Sequence, residues 1–225
     1  MKIRNKVIVI TGGTSGLGKS LATLLVKRKN KVIIASRSMD RILLGKKACA
    51  LYVKTDVTKE SDIKKLTKAS LNKFKKIDIW INNAGIWIPH VPIENINMKK
   101  FHEMIEVNLF GVVYGSKHAL KQMRKQKKGI IINILSSSAL DGSAGSSGYC
   151  ASKFAASGFT KSLRLEVCKE GISVISVYTR GMKTNLFNQR MPLKYHEFMN
   201  PDYVAEKVIK NIERGKPRQD LFIMN

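Results

Sequence analysis

Short apolar runs rich in β-branched residues alternate along this chain with longer stretches in which apolar residues recur every third or fourth position. Lys6–Ile10, Val32–Ala35, Ala50–Lys54, Ile77–Ile81, Ile130–Ile134 and Ser173–Val177 predict strands. Leu17–Arg28, Ser61–Phe74, Lys99–Lys127 and Tyr149–Lys169 predict helices. The strands are apolar at nearly every position, not at every second one, so both of their faces must be covered. Such strands, separated by amphipathic helices, predict an α/β fold: one doubly wound, Rossmann-type sheet, mostly parallel, in a three-layer α/β/α sandwich. Between the second and third strands there is room for only about two turns of helix. Gly181–Pro201 loses the periodicity and mixes Met, Phe, Tyr and His, which predicts a loop with short helical pieces. Asp202–Arg214 and Leu221–Ile223 predict a last helix and a last strand.

At 225 residues and 44% hydrophobic, the chain suits one domain spanning 1–225, and no repeat or linker divides it. Basic Met1–Lys6 is followed by an apolar run of only Val7–Ile10, too short for a signal peptide or a membrane span, so a cytoplasmic protein without membrane contact is expected. Cys49, Cys150 and Cys168 show no ligand spacing, and no two histidines form a metal pair, so neither a metal nor a disulfide is expected. The net charge of +25 could draw nucleic acid, anionic membranes or small anions. Yet the lysines are scattered, their clusters at Lys27–Lys31 and Lys121–Lys128 fall at expected helix ends, and no aromatic-interleaved patch exists. A solvated basic surface is the reading, and a nucleic-acid partner is not expected.

Directly after the first strand stands Thr11-Gly-Gly-Thr-Ser-Gly-Leu-Gly-Lys-Ser20, a glycine-rich turn entering a helix, where backbone amides and a positive helix end can hold a phosphate. Two patterns fit it. Gly13-x-x-x-x-Gly18-Lys19-Ser20 satisfies the P-loop of phosphotransferases, and Thr11-Gly-x-x-x-Gly-x-Gly18 satisfies a dinucleotide loop. A P-loop enzyme also needs an acidic residue at a later strand end to hold magnesium, and the candidate strands end in Ile81-Asn82-Asn83 and Ile134-Leu135-Ser136 instead.

From Thr11 to about Leu186 the ordered motifs resemble the short-chain dehydrogenase/reductase family: the glycine loop, Asn82-Asn83-Ala84-Gly85, Asn108 within Val107-Asn-Leu-Phe-Gly111, Ser136 at a strand end, and Tyr149-Cys-Ala-Ser-Lys153. Tyr-x-x-x-Lys alone is weak, and Tyr203 with Lys207 forms a second copy. Only the Tyr149 pair has a serine thirteen positions upstream together with the other motifs in order. The resemblance implies an oxidoreductase whose catalytic group is Asn108, Ser136, Tyr149 and Lys153. It also implies a homodimer or homotetramer, and makes 181–201 the substrate loop. The chain is short for that family, which suggests a trimmed loop and C-terminus.

Carbonyl reduction needs a hydride donor, a proton donor and a group that fixes the carbonyl oxygen. Tyrosine ionises near about 10, and an ammonium one helical turn away, as Lys153 is from Tyr149, is expected to lower that value. By resemblance, Lys153 also holds the nicotinamide ribose, Asn108 anchors a proton-relay water and Ser136 orients the substrate. The cofactor contacts implied are Gly12, Thr14, Ser15, Gly16, Leu17, Gly18, Ser36, Arg37, Asp56, Val57, Asn83, Ala84, Gly85, Tyr149, Lys153 and Thr184. NADP(H) is expected over NAD(H): where an NAD enzyme places a carboxylate on the ribose, this chain has Ser36 and then Arg37, whose guanidinium suits a 2′-phosphate. Asp56 can equally cap the helix that follows it.

One departure stands out. Thr179 and Arg180 occupy the family's usual Pro-Gly positions, although Thr184 is kept. An arginine beside the nicotinamide leaves a second function class open: a catalytically impaired NADP(H)-binding regulatory or RNA-associated protein on the same fold. Substrate identity is not readable. Trp87, His90, Phe187, Tyr195 and Phe198 are candidate pocket walls that could as easily be packing.

Overall fold

A computed structural model describes residues 3–38, 44 and 49–224. Among them, β1 (Val7–Thr11), β2 (Lys31–Ser36), β3 (Ala50–Lys54), β4 (Ile79–Asn82), β5 (Gly129–Ile134), β6 (Ile172–Thr179) and β7 (Asp220–Ile223) form one parallel sheet ordered β3-β2-β1-β4-β5-β6-β7. The helices are α1 (Gly16–Lys27), α2 (Glu60–Phe74), α3 (Met98–Ile105), α4 (Gly111–Gln126), α5 (Ser147–Glu166) and α6 (Pro201–Ile212). Strand order reverses between β1 and β4, which opens a crevice at their carboxyl ends where ligands bind in such sheets.

The all-apolar strands explain the layering. On β1, Ile8 and Ile10 pack under α1 and α6 with Leu21, Leu25, Val204 and Val208, while Val7 and Val9 face α2, α4 and α5 with Ile63, Leu66, Met123 and Leu163. Each face of the strand is therefore removed from water by its own helix layer, as the doubly wound expectation requires. Among the described residues no helix is long and apolar enough to cross a membrane, and no three His, Cys, Asp or Glu side chains gather as metal ligands.

Some details differ from the sequence reading, and one lies beyond the described residues. The short helix expected between β2 and β3 falls mostly on residues outside the described ones. Ile77 precedes β4 and does not belong to it. The single helix expected over Lys99–Lys127 is instead α3, a π-helical turn at Glu106–Phe110, and α4. A π turn holds an extra residue, so the helix face slips there, and Asn108 is brought inward to 1% exposure. Of the expected loop 181–201, residues 181–200 form a loop with 3-10 turns at Asn185–Phe187 and Tyr195–Glu197, and Pro201 already opens α6. Its base is closed by backbone bonds from Lys183 N to Met199 O (2.9 Å) and Met199 N to Gly181 O (3.0 Å).

The tips of β4 and β5 are joined by a buried polar chain. Trp80 Nε1 donates to Asn82 Oδ1 at 2.7 Å. Asn82 Nδ2 donates to Asn133 Oδ1 at 2.8 Å and to Ser116 Oγ of α4 at 3.1 Å. Asn133 Nδ2 donates to Thr160 Oγ1 of α5 at 2.9 Å. Asn82 is 2% exposed and Asn133 0%, so water cannot replace a lost partner. Asn82→Ala strands the Trp80 N–H and an Asn133 lone pair, and should cost about 3 kcal/mol in urea unfolding. Adding Asn133→Ala should cost clearly less than the sum of the two single changes. Strict additivity, or a single-mutant loss below about 1 kcal/mol, would show that the chain is not a cooperative unit.

Candidate active site

The crevice begins where β1 ends. Thr11 Oγ1 accepts from Asn83 N (3.0 Å) and Ala84 N (3.1 Å), and Asn83 Nδ2 donates to Thr11 O (2.9 Å) and Gly12 O (3.1 Å), so the glycine loop is clamped to the tip of β4. Gly12 has φ +64°, and a Cβ there would lie 2.9 Å from Ala84 Cα. A Cβ on Gly18 would collide with the Gly12 carbonyl oxygen, so glycine is what allows α1 to approach the strand so closely. Gly18 thus acts from behind the loop. Helix α1 opens at Ser15, whose side chain makes no capping bond, and its first turn holds no acidic residue. The positive helix end is left for a ligand, an arrangement that fits phosphate. Lys19 is exposed, as expected of an ordinary first-turn residue.

A cavity of about 870 Å³ runs from this loop past Ser136, Tyr149 and Lys153 to an aromatic end at Trp87, Phe187 and Phe198. Ser136 follows β5, and its hydroxyl accepts from Ser138 N at 3.1 Å, which closes a short 3-10 turn and holds the serine beside Tyr149. Tyr149 lies in the first turn of α5 and Lys153 one turn on, with Lys153 Nζ 5.7 Å from the Tyr149 ring centre and 3.4 Å from Ile134 O. Asn108 does not line the cavity. Its Oδ1 accepts from Ile86 N (2.9 Å), and its Nδ2 donates to Ile86 O (2.9 Å) and Ser152 Oγ (3.0 Å). It braces the backbone after Gly85, where a Cβ would come within 3.3 Å of Asn108 Oδ1 and 3.7 Å of Lys153 Nζ.

The electrostatics of this pair correct one expectation. Lys153 does not depress Tyr149 here. Burial pushes the phenol from 10.0 up to about 12, against a smaller downward pull from its hydrogen bond with Ser136. Burial also brings Lys153 from 10.5 down to about 8. Desolvation disfavours both charged forms, and the Ile134 carbonyl takes one of the ammonium's three donors at 3.4 Å.

A second cavity of about 160 Å³ shares Gly12, Ser15, Ala84 and Gly85 with the first and ends at Thr14, Ser36, Arg37, Asp56 and Val57. Thr14 Oγ1 and Ser36 Oγ lie 2.9 Å apart. Asp56 Oδ1 accepts from Thr58 N (3.1 Å) and Thr58 Oγ1 (2.8 Å), so it closes its own turn, while the N-cap position of α2 is Lys59. Gly16, Leu17, Asn83 and Thr184 line the larger cavity, and the Thr184 methyl packs on Gly16. Tyr203 and Lys207 sit together on α6, away from both cavities.

Sequence reasoning missed Ser152 as the partner of Asn108, and it missed the Trp80–Asn82–Asn133–Thr160 chain. A lone asparagine inside the apolar run Ile130–Ile134 was the available signal for that chain.

Comparison with known proteins agrees with this geometry. The short chain dehydrogenase family pattern matches residues 6–193. The chain is 32% identical to an uncharacterised oxidoreductase of Listeria monocytogenes over 95% of its own length and 93% of the relative's. It is 36% identical to a tropinone reductase-like protein of Erythroxylum coca over 83% and 71%. The 3-ketoacyl-(acyl-carrier-protein) reductase of Brucella melitensis, solved in complex with NADH, superposes with a TM-score of 0.90 at 26% identity, covering 98% of this chain and 97% of that one. An alcohol dehydrogenase of Thermococcus sibiricus, solved with 5-hydroxy-NADP, shares the fold at a TM-score of 0.87 and 24% identity, covering 98% and 95%. With that family's pattern spanning most of its length and its motifs gathered on one crevice, the chain is an oxidoreductase of the short-chain dehydrogenase family.

Proposed function

We propose that the protein moves a hydride between NADP(H) and a small carbonyl or alcohol substrate, with Tyr149 as general acid and base. The observation that carries this reading is the single cavity in which Ser136, Tyr149 and Lys153 stand between a bare helix N-terminus and an aromatic wall. The fit to the cofactor rests on the same features. The amides at the start of α1 suit the pyrophosphate, with Thr184 across from them. Ser36 and Arg37 suit a 2′-phosphate, and Asp56 and Val57 the adenosine end. Asn83, Ala84 and Gly85 form the wall between, and Lys153 suits the ribose hydroxyls. When bound, the nicotinamide supplies the hydride, the electron pair that becomes the new C–H bond, and is left as a cation.

The remaining work belongs to the chain. Ser136 donates to the carbonyl oxygen and turns the carbon toward the donor. Tyr149 gives its proton to that oxygen as charge develops there, completing the alcohol. Lying near about 12, the phenol is fully protonated at neutral pH, which suits the acid role in reduction. Giving up the proton leaves a phenolate that needs a nearby cation, and Lys153, near about 8, is mostly charged at pH 7. Asn108 holds the Ile86 backbone, and with it the wall beside Lys153, in place, and anchors the relay water that the family resemblance implies. The exposed apolar side chains Phe110, Phe154 and Leu165 near and along α5 support a homodimer or homotetramer. One domain over 1–225, a substrate loop at 181–201 and a cytoplasmic location complete the reading.

Tyr149→Phe should lower NADPH-dependent carbonyl reduction by about a thousandfold, within the usual span for a lost general acid, while NADPH affinity by calorimetry stays within about twofold. Turnover that survives the change removes Tyr149 from the mechanism. Arg37→Ala should weaken NADPH binding by about tenfold and leave NADH binding unchanged; equal loss for both would refute the 2′-phosphate contact. Reduction should be level through neutral pH and fall above about pH 8 as Lys153 loses its proton. Between pH 8 and 10 the unfolded chain holds a lysine proton that the native state lacks, so native stability should rise with pH, by up to about 3 kcal/mol. That rise should be absent from Lys153→Met when both proteins are unfolded in urea across the same pH range.

A further inference from the structure

Arg180 stands where the family usually has glycine, and its exposed side chain lines the large cavity. Its backbone N–H donates to Ile223 O at 3.3 Å, continuing the sheet. Among the described residues its guanidinium has no hydrogen-bond or ion-pair partner, whereas Arg28, Arg124 and Arg164 each hold a carboxylate. In a chain with 41 basic and 16 acidic residues an unpaired arginine means little by itself. Its position gives it meaning. Gly181, the next residue, lies so close to Phe198 that a Cβ would sit 2.5 Å from the ring, and Thr184 reaches Gly16 of the phosphate loop. The segment therefore runs from the aromatic end of the cavity toward the phosphate end, and Arg180 is the chain neighbour of the glycine that packs on Phe198.

That end is built from ring contacts: Phe187 meets Trp87 edge-on at 5.1 Å and Phe198 at 5.2 Å, with Tyr195 6.3 Å away. Among the described lining residues there is no aspartate or glutamate, and the cations are Lys153, Arg180 and Arg190. Lys153 is engaged by the Ile134 carbonyl and belongs to the catalytic pair. An apolar, ring-bearing wall in a cavity also lined by the guanidinium groups of Arg180 and Arg190, of which Arg180 adjoins the ring-packed Gly181, is complementary to an apolar molecule bearing one planar anion.

We propose that Arg180 makes this enzyme selective for carbonyl substrates that carry a carboxylate on an aromatic or alicyclic body, an inference that rests on the reductase reading above. Arg180 is a specificity-determining residue here: it grips the carboxylate, the rings of Trp87, Phe187 and Phe198 hold the body, and the carbonyl is left to Ser136 and Tyr149.

The test compares 4-carboxybenzaldehyde with its neutral methyl ester, in wild type, Arg180→Ala and Arg180→Lys. Calorimetric Kd is measured on the protein without nicotinamide, and kcat/KM with NADPH. Wild type should prefer the acid. Arg180→Ala should lose roughly tenfold in both Kd and kcat/KM for the acid and stay within about twofold for the ester, and Arg180→Lys should recover part of the loss. Equal binding of acid and ester by wild type, no binding of the acid, or equal loss for both ligands in Arg180→Ala would overturn the proposal. So would a loss of NADPH affinity in Arg180→Ala with acid binding unchanged, because the guanidinium would then serve the cofactor. Selective binding of the acid through Arg180 with neither aldehyde reduced would uphold the carboxylate site and sink the reductase reading. Reduction of both at equal rates would do the reverse.

Discussion

The hydrogen bond from Asn82 Nδ2 to Asn133 Oδ1, 2.8 Å long and shut away from water between β4 and β5, fixes how the two central strand tips sit relative to each other. The register of both strands follows it, since Asn82 is the Cα partner of Asn133. Each asparagine then reaches a helix of the same layer, Asn82 through Ser116 to α4 and Asn133 through Thr160 to α5. Hydrophobic burial presses those helices onto the sheet but is indifferent to small slides along it. Directional polar bonds are not, because a buried amide displaced by an ångström loses partners it cannot replace with solvent. The candidate site inherits this constraint: Tyr149 and Lys153 ride on α5, and Asn108 lies in the turn leading to α4.

Burial does two opposed things at the site. It lowers the polarity around Tyr149 and Lys153, which strengthens the charge interactions the two groups make. It also makes the phenolate and the ammonium costly, which is why Tyr149 rises to about 12 and Lys153 falls to about 8. The pair is thus held as neutral tyrosine and easily discharged lysine, and a further positive charge in the crevice would tip the tyrosine toward releasing its proton. A nicotinamide held beside Tyr149 and Lys153 would supply such a charge once it had given up its hydride, and burial of the pair would make the phenol sensitive to it.

The fold was legible because its signal is periodic: Val7–Ile10 and Val32–Ala35 are apolar at every position, and only a sheet covered on both sides explains that. The site was legible because its residues sit at fixed offsets from strand ends, where side chains cannot drift far. Ser136, two residues past β5, is of this kind, and Tyr149 in the first turn of α5 is held as closely by its helix. What was not legible depended on one-residue geometry or on the sum of competing energies. The π turn around Asn108 changes no residue type, so the apolar pattern of Lys99–Lys127 passes through it as one helix. The ionisation of Tyr149 could not be signed from spacing alone, because the i, i+4 lysine and the desolvation of the phenol act in opposite directions and only the packed surroundings decide which is larger.

The same distinction applies to the charge. A net +25 spread over a surface is a long-range field that favours any anion and selects none, and salt shortens its reach to about 10 Å at moderate ionic strength. Selection requires a cation placed where water is scarce and where one side of a molecule is already committed. The aromatic end of the cavity supplies the second half of that condition: rings occupy the apolar contact and the described lining holds no carboxylate, while Arg180, exposed on the same lining, stands where a side-chain hydrogen would be ordinary. A glycine at that position would remove one of the lining cations and with it, on the proposal above, the preference for an acid. An arginine there costs conformational freedom when it is ordered against a ligand, and a complementary anion sharing the space would offset that cost.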